Sequence, residues 1–106
     1  MDIEKVNQEG VVTYHIKGRL DVQTSPKLQS TLEESFGEGE TNLVLDFKDV
    51  EYMSSAALRV ILYAQKKVNT INGASLTITN VKPDVMEVFE LTGFTDFLKI
   101  NNEISN

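Results

Sequence analysis

The chain contains no cysteine, so disulfides, thiolate catalysis and cysteine-ligated zinc are all excluded. Nothing marks it as secreted, and the cytoplasm is the expected compartment. No stretch approaches the ~18 continuous apolar residues of a membrane span. The opening Met1-Asp2-Ile3-Glu4-Lys5 also lacks the basic start and apolar run of a signal peptide, so no membrane association is expected. Basic residues are scarce, at 10 against 16 acidic, for a net charge of −6. That balance opposes non-specific nucleic-acid binding, which depends on neutralising phosphates with Lys and Arg. There is a single histidine, His15, so a multi-histidine metal site is excluded. Its place in the middle of a predicted strand, with no nucleophile partner in view, argues for a structural role and against a triad base.

What the chain does have is the composition of one ordinary globular domain spanning residues 1–106, with 41% hydrophobic and 25% charged residues. A chain of this size buries somewhat over ~60% of its unfolded surface, enough for one core without metal or disulfide support. The charge is unevenly placed. Residues 1–51 carry 5 basic and 11 acidic side chains, residues 52–83 carry 4 basic and no acidic, and residues 84–106 carry 1 basic and 5 acidic. The basic middle either steers an acidic partner or keeps one helix soluble.

Periodicity supplies the elements. Val11-Val12-Thr13-Tyr14-His15-Ile16-Lys17 alternates as a strand, with Val12, Tyr14 and Ile16 on one face. Asp2 to Val6 is a weaker strand, and Asn7-Gln8-Glu9-Gly10 is a hairpin turn that places it at a sheet edge. Ser25-Pro26 fits an N-cap followed by proline at the first helical position, and Leu28, Leu32 and Phe36 then recur every four residues until Gly37. The Gly37-Glu38-Gly39-Glu40 stretch reads as a connecting loop. Asn42-Leu43-Val44-Leu45-Asp46-Phe47 is a short apolar run, expected to be the central strand and buried on both faces. Leu58, Ile61, Leu62, Gln65 and Val68 form a helical stripe from Ser55 to Ile71, stopped by Asn72-Gly73. Ser75 to Thr79 is a strand, Pro83 opens a third helix with Val85, Val88 and Phe89 that Thr92-Gly93 closes, and Phe97 to Ile100 supplies a last strand. Strands alternating with helices, without internal repeats, predict an α/β fold. The sheet is expected to be mostly parallel, with an antiparallel edge strand and helices packed over it.

Catalytic machinery is missing from this pattern, and the chain is read as a non-enzyme with no cofactor or metal. Gly37-Glu38-Gly39 does not continue as a dinucleotide or Walker loop and follows a predicted helix where such loops follow a strand. Glu33-Glu34 and Asp49/Glu51 fall on an outer helix face and a loop, where carboxylates are ordinarily solvated. What remains is Met53-Ser54-Ser55-Ala56-Ala57-Leu58, where a strand ends and two hydroxyls meet a helix start. One reading is an N-cap, worth ~1 kcal/mol. The other is a phosphate acceptor at the carboxyl end of a sheet strand, where α/β folds place their binding sites. Along the following helix Arg59, Tyr63, Lys66 and Thr70 recur at three- and four-residue spacing, as either a solvated face or a partner-facing stripe.

Several segments together resemble a known pattern: Gly18-Arg19-Leu20-Asp21, Ser25-Pro26, Leu43-Val44-Leu45-Asp46-Phe47, Tyr52-Met53-Ser54-Ser55-Ala56-Ala57-Leu58 and Leu91-Thr92-Gly93-Phe94. In this order they resemble the STAS domain of bacterial anti-sigma factor antagonists. The resemblance implies an α/β STAS-like domain that binds an anti-sigma factor with serine kinase activity, so that a sigma factor is released. Phosphorylation of one serine ends this binding, and a serine phosphatase restores it. The acceptor position corresponds to Ser55, with Ser54 as the alternative. Asp21 is implied to lie in the loop near the acceptor and to contribute, with Ser54, Arg59, Tyr63 and Lys66, to the partner surface; its other reading is a turn residue or helix cap. The sequence departs from the pattern where Asp commonly precedes the acceptor, which is Ser54 here, and where Ser or Thr and then Gly follow, which are Ala56 and Ala57. These departures point to a second reading, a STAS module that does not switch and serves as a scaffold, sensor or transport accessory. A phosphate at a helix N-terminus is stabilised by the free N–H groups and the helix dipole, so modification would act on the interface and leave the fold intact. The oligomeric state is not legible in the sequence.

Overall fold

Glu9 and Gly10 both have positive φ, 53° and 85°, which is the backbone of a two-residue mirror-image turn whose twist matches that of the strands it joins. It connects β1 (Asp2–Gln8) to β2 (Val11–Leu20), antiparallel from Asp2 opposite Lys17 to Gln8 opposite Val11. The remaining elements are α1 (Ser25–Gly37), β3 (Asn42–Met53), α2 (Ser55–Asn69), β4 (Ser75–Thr79), α3 (Pro83–Thr92) and β5 (Ile100–Asn101). The computed structural model describes residues 1–101. No helix among them is long and apolar enough to cross a membrane.

The strands lie in the sheet in chain order, β1-β2-β3-β4-β5, with β2 through β5 parallel and β3 in the middle. Crossovers of one hand that always step to the next strand in the same direction carry every helix over the same face. Side-chain contacts agree with this. Tyr14 of β2 meets Ser35 of α1 at 2.6 Å, Phe47 of β3 meets Phe89 of α3 at 6.2 Å between ring centroids, and α2 packs on β4. Val12, Tyr14, Ile16, Leu43, Leu45, Phe47, Leu76 and Ile78 therefore share the helix side and are buried. Thr13, Val44, Asp46, Thr77 and Thr79 lie on the other side and are half-buried, with His15 exposed. This corrects the expectation for Asn42–Phe47. The strand is central but fully buried on one face only, because no helix among the described residues crosses the other.

Other local expectations change as well: β1 runs on to Gln8, and β3 runs on to Met53, so that Asp49 and Glu51 lie in the strand and not in a loop. Ser25 is the first residue of α1 and is buried, while Thr24 holds the cap position without a side-chain cap bond. The preceding loop orders the helix start instead: the Asp21 carboxylate takes the Gln23 and Thr24 amides at 3.0 Å each, and the Asp21 carbonyl takes the Ser25 amide at 2.9 Å. The last strand is shorter and later than the expected Phe97–Ile100: only Ile100 and Asn101 pair with β4, because the Phe97 and Leu98 amides are spent on Phe94 O at 3.1 Å in a helical turn. α2 ends at Asn69 with Gly73 just beyond at φ 82°, and α3 closes on Gly93 at φ 77°, a left-handed C-cap that glycine adopts without strain.

Two irregularities in β3 position the site. The register with β2 runs from His15 opposite Asp46 to Lys17 opposite Asp49, and from Gly18 opposite Val50 to Arg19 opposite Tyr52. Each step gives β3 one more residue than β2, a bulge that bends the strand. After both, Leu20 and Met53 finish level, and the two loops that follow them are neighbours.

Candidate partner-binding surface

Met53 is buried and fixes the end of β3 in the core. Ser54 then takes extended cap geometry, φ −95° and ψ 170°. Its amide donates to Leu20 O at 2.8 Å, which ties the β3–α2 turn to the end of β2, and its carbonyl accepts the Leu58 amide at 3.2 Å to begin α2. The Ser54 hydroxyl is nevertheless buried, has no hydrogen-bond partner among the described residues and makes no cap bond. So the backbone of Ser54 caps the helix and its side chain does not. Ser55 is the first residue of α2 and is exposed. The first turn of this 15-residue helix carries no acidic residue, leaving its free amides without an internal counter-charge.

Asp21 follows Leu20, so the bond between Ser54 N–H and Leu20 O brings its loop beside the serine turn. The side chain is held in that loop. Besides the two amides, Thr24 Oγ lies 3.2 Å from Oδ1, and the Arg19 Nε stands 3.9 Å from Oδ2. The Thr24 amide bond is the main reason that the carboxyl stays below its ordinary range, against a smaller opposing effect of burial. Thr24 Oγ also donates to Arg19 O at 2.7 Å, and the Ser25 amide and hydroxyl both donate to Asp21 O. Asp21 is thus a turn residue whose one less-committed oxygen faces Arg19.

Arg59, Tyr63 and Lys66 are exposed along α2, with Thr70 at its cap. Beside them a groove of about 330 Å³ opens between α1 and α2, lined by Val22, Pro26, Ala56 and Val60 together with Arg59 and Tyr63. Lys66 lies outside it. Val22 is 71% exposed, and Tyr63 is 42% exposed. Sequence reasoning missed Val22 and Pro26 as groove residues; the available signal was an apolar valine in a polar loop. It also missed the Arg19 guanidinium stacked 4.2 Å over the Tyr52 ring, a pairing that the β3 bulges create. His15 stands apart from this end, on the helix-free side of the sheet, with Nδ1 2.7 Å from Asp46 Oδ2. Among the described residues no group of three His, Asp or Glu side chains converges as metal ligands do.

A mostly parallel sheet with an antiparallel edge strand and helices on one side is the fold of the STAS class. Residues 2–106 match the family described as STAS domain, and the chain belongs to that family. It is 32% identical over 94 residues to BtrV of Bordetella bronchiseptica, a protein named as an anti-sigma factor antagonist, covering 89% of this chain and 80% of the relative. It is 29% identical over 101 residues to the anti-sigma-B factor antagonist of Staphylococcus aureus, covering 95% and 93%. Among solved structures it resembles the anti-sigma factor antagonist SpoIIAA, in its unphosphorylated form with a TM-score of 0.75 at 14% identity, covering 96% and 89%. The phosphorylated form from Bacillus gives 0.73 at 15% identity, covering 96% and 93%.

Proposed function

We propose that this chain is an anti-sigma factor antagonist that docks an anti-sigma factor with serine kinase activity, frees the sigma factor, and is switched off by phosphorylation of Ser55. One observation carries the choice of residue: the Ser55 hydroxyl is on an exposed side chain at the head of α2, whereas the Ser54 hydroxyl is buried. In the transfer, the Ser55 oxygen attacks the γ-phosphorus of a nucleoside triphosphate held by the partner. The diphosphate leaves, and the serine proton passes to a base on the partner. A serine phosphatase reverses the modification by hydrolysis.

The docking surface in this reading comprises Asp21, Ser54, Arg59, Tyr63 and Lys66 around the α1–α2 groove. A phosphate adds a charge of about −1.5 to −2 there, and burying it unpaired against a partner costs several kcal/mol. The fold is expected to persist, because the phosphate lies at a helix N-terminus. The near-equal likeness of the chain to the two forms of SpoIIAA supports that expectation.

The test is incubation with the anti-sigma kinase of the same genome and ATP, followed by peptide mass spectrometry. One phosphoryl group on the peptide holding Ser55 is expected, and none on Ser55→Ala. An unmodified Ser55 beside a kinase active on a control substrate refutes the reading. Ser54, Ala56 and Ala57 stand where the familiar pattern has Asp, a hydroxyl residue and Gly, which favours a second reading as a non-switching STAS scaffold, sensor or transport accessory. Undiminished partner binding by Ser55→Asp selects that one.

A further inference from the structure

Ser55 and Arg59 are four residues apart on α2, both exposed, with the serine on the N-terminal side. Positions i and i+4 of a helix are surface neighbours, and an anion at i with a cation at i+4 is the favoured order. Arg59 also lines the α1–α2 groove, one residue before Val60 and four before Tyr63. It carries no ion pair with Asp or Glu among the described residues, so its guanidinium is available to an incoming acceptor.

We infer that Arg59 is the internal receiver of the Ser55 phosphate: once the serine is modified, the guanidinium pairs with the phosphate and is withdrawn from the groove wall. Phosphorylation then alters the docking surface twice, by adding an anion at the head of α2 and by taking away a cation that an acidic partner group would meet. A planar guanidinium suits this task, since it offers two parallel N–H donors to two phosphate oxygens. Near this end Asp21 and Arg19 face each other at 3.9 Å. Lys66 and Lys67 lie two turns or more further along α2.

This inference rests on the Ser55 reading, and its test is built to fail separately. Phosphoserine is installed at position 55 by genetic code expansion, which requires no kinase, and the second ionisation of the phosphate is followed by phosphorus NMR. Pairing with Arg59 lowers that pKa, so Arg59→Ala is expected to raise it by about 0.3 to 1 unit. Arg59→Lys should recover part of the difference, Lys67→Ala should recover the unmutated titration, and added salt should shrink the effect. In the same sample the Arg59 side-chain NεH resonance should move on phosphorylation. Identical titrations with and without Arg59, or an equal shift in Lys67→Ala, overturn the inference and leave the switch itself standing. Failure of a kinase to modify Ser55 would remove the switch and leave this pairing measurable.

Discussion

Replacing Asp46 by Asn tests whether a carboxylate on the uncovered side of the sheet fastens β3 to its surroundings. Three donors converge on it: His15 Nδ1 at 2.7 Å, the Lys48 amide at 3.0 Å and Asn80 Nδ2 at 3.1 Å. They come from β2, from the first β3 bulge and from the turn after β4, where Asn80 has a positive φ of 59°. The side chain is 14% exposed. Burial by itself pushes the Asp46 carboxyl up, yet the bonds from Asn80, Lys48 and His15 outweigh it and hold the group below its ordinary value. Hydrogen bonds to a charged acceptor contribute ~1.5–3 kcal/mol and neutral ones ~0.5–1.5. Asn keeps one acceptor oxygen for Lys48 and Asn80 but turns an amide toward His15, so Asp46→Asn should cost about 1 to 2 kcal/mol at pH 7. The pH dependence has a definite sign. A carboxylate with a depressed folded pKa contributes stability that is present above its unfolded pKa, near ~3.9, and is lost as pH falls through the folded pKa. Urea titrations of both proteins should show the full gap at pH 7 and a shrinking gap below about pH 4, with unchanged denaturant slope. A gap equal at pH 7 and pH 3, or no gap at pH 7, refutes the reasoning.

Two other substitutions bear on the serine turn and the hairpin. Ser54→Ala removes a buried hydroxyl without a partner among the described residues, so the unfolding free energy from urea titration should stay level or rise by up to about 1 kcal/mol; a side-chain cap would instead lose about that amount. Glu9→Asn places a residue tolerant of left-handed backbone at φ 53° and should raise stability by about 1 kcal/mol, read as a melting point higher by about 4 to 8 °C. An unchanged or lower melting point contradicts the turn assignment.

Most elements were legible because their signals are local. Alternation in Val11–Lys17, four-residue spacing of Leu28 and Leu32, and the Gly10, Gly73 and Gly93 stops each belong to the segment that shows them. The expectations that failed were those needing a neighbour. Phe97 and Leu98 have strand-like composition, but their amides are captured by Phe94 O. Ser25 looked like a cap until Asp21 supplied the bonds. The candidate surface could be placed residue by residue along the chain but not as an arrangement in space. Ser55, Arg59 and Tyr63 could be placed on α2 by helical spacing, while the groove beside them needed Val22 from the β2–α1 loop and Pro26 from the start of α1.

By itself the sequence determined the α/β class, the edge hairpin, the phase of each helix and the pair of serines at a strand-to-helix turn, all consequences of side-chain period and turn chemistry within a few residues. Only the tertiary structure decided that every helix among the described residues covers one face, that β3 is only half-buried on the other, and that of two adjacent hydroxyls one is buried and one exposed. Those outcomes depend on strand order, crossover hand and two bulges that bring Leu20 level with Met53. Such pairings join residues far apart in the chain, where no local pattern records them.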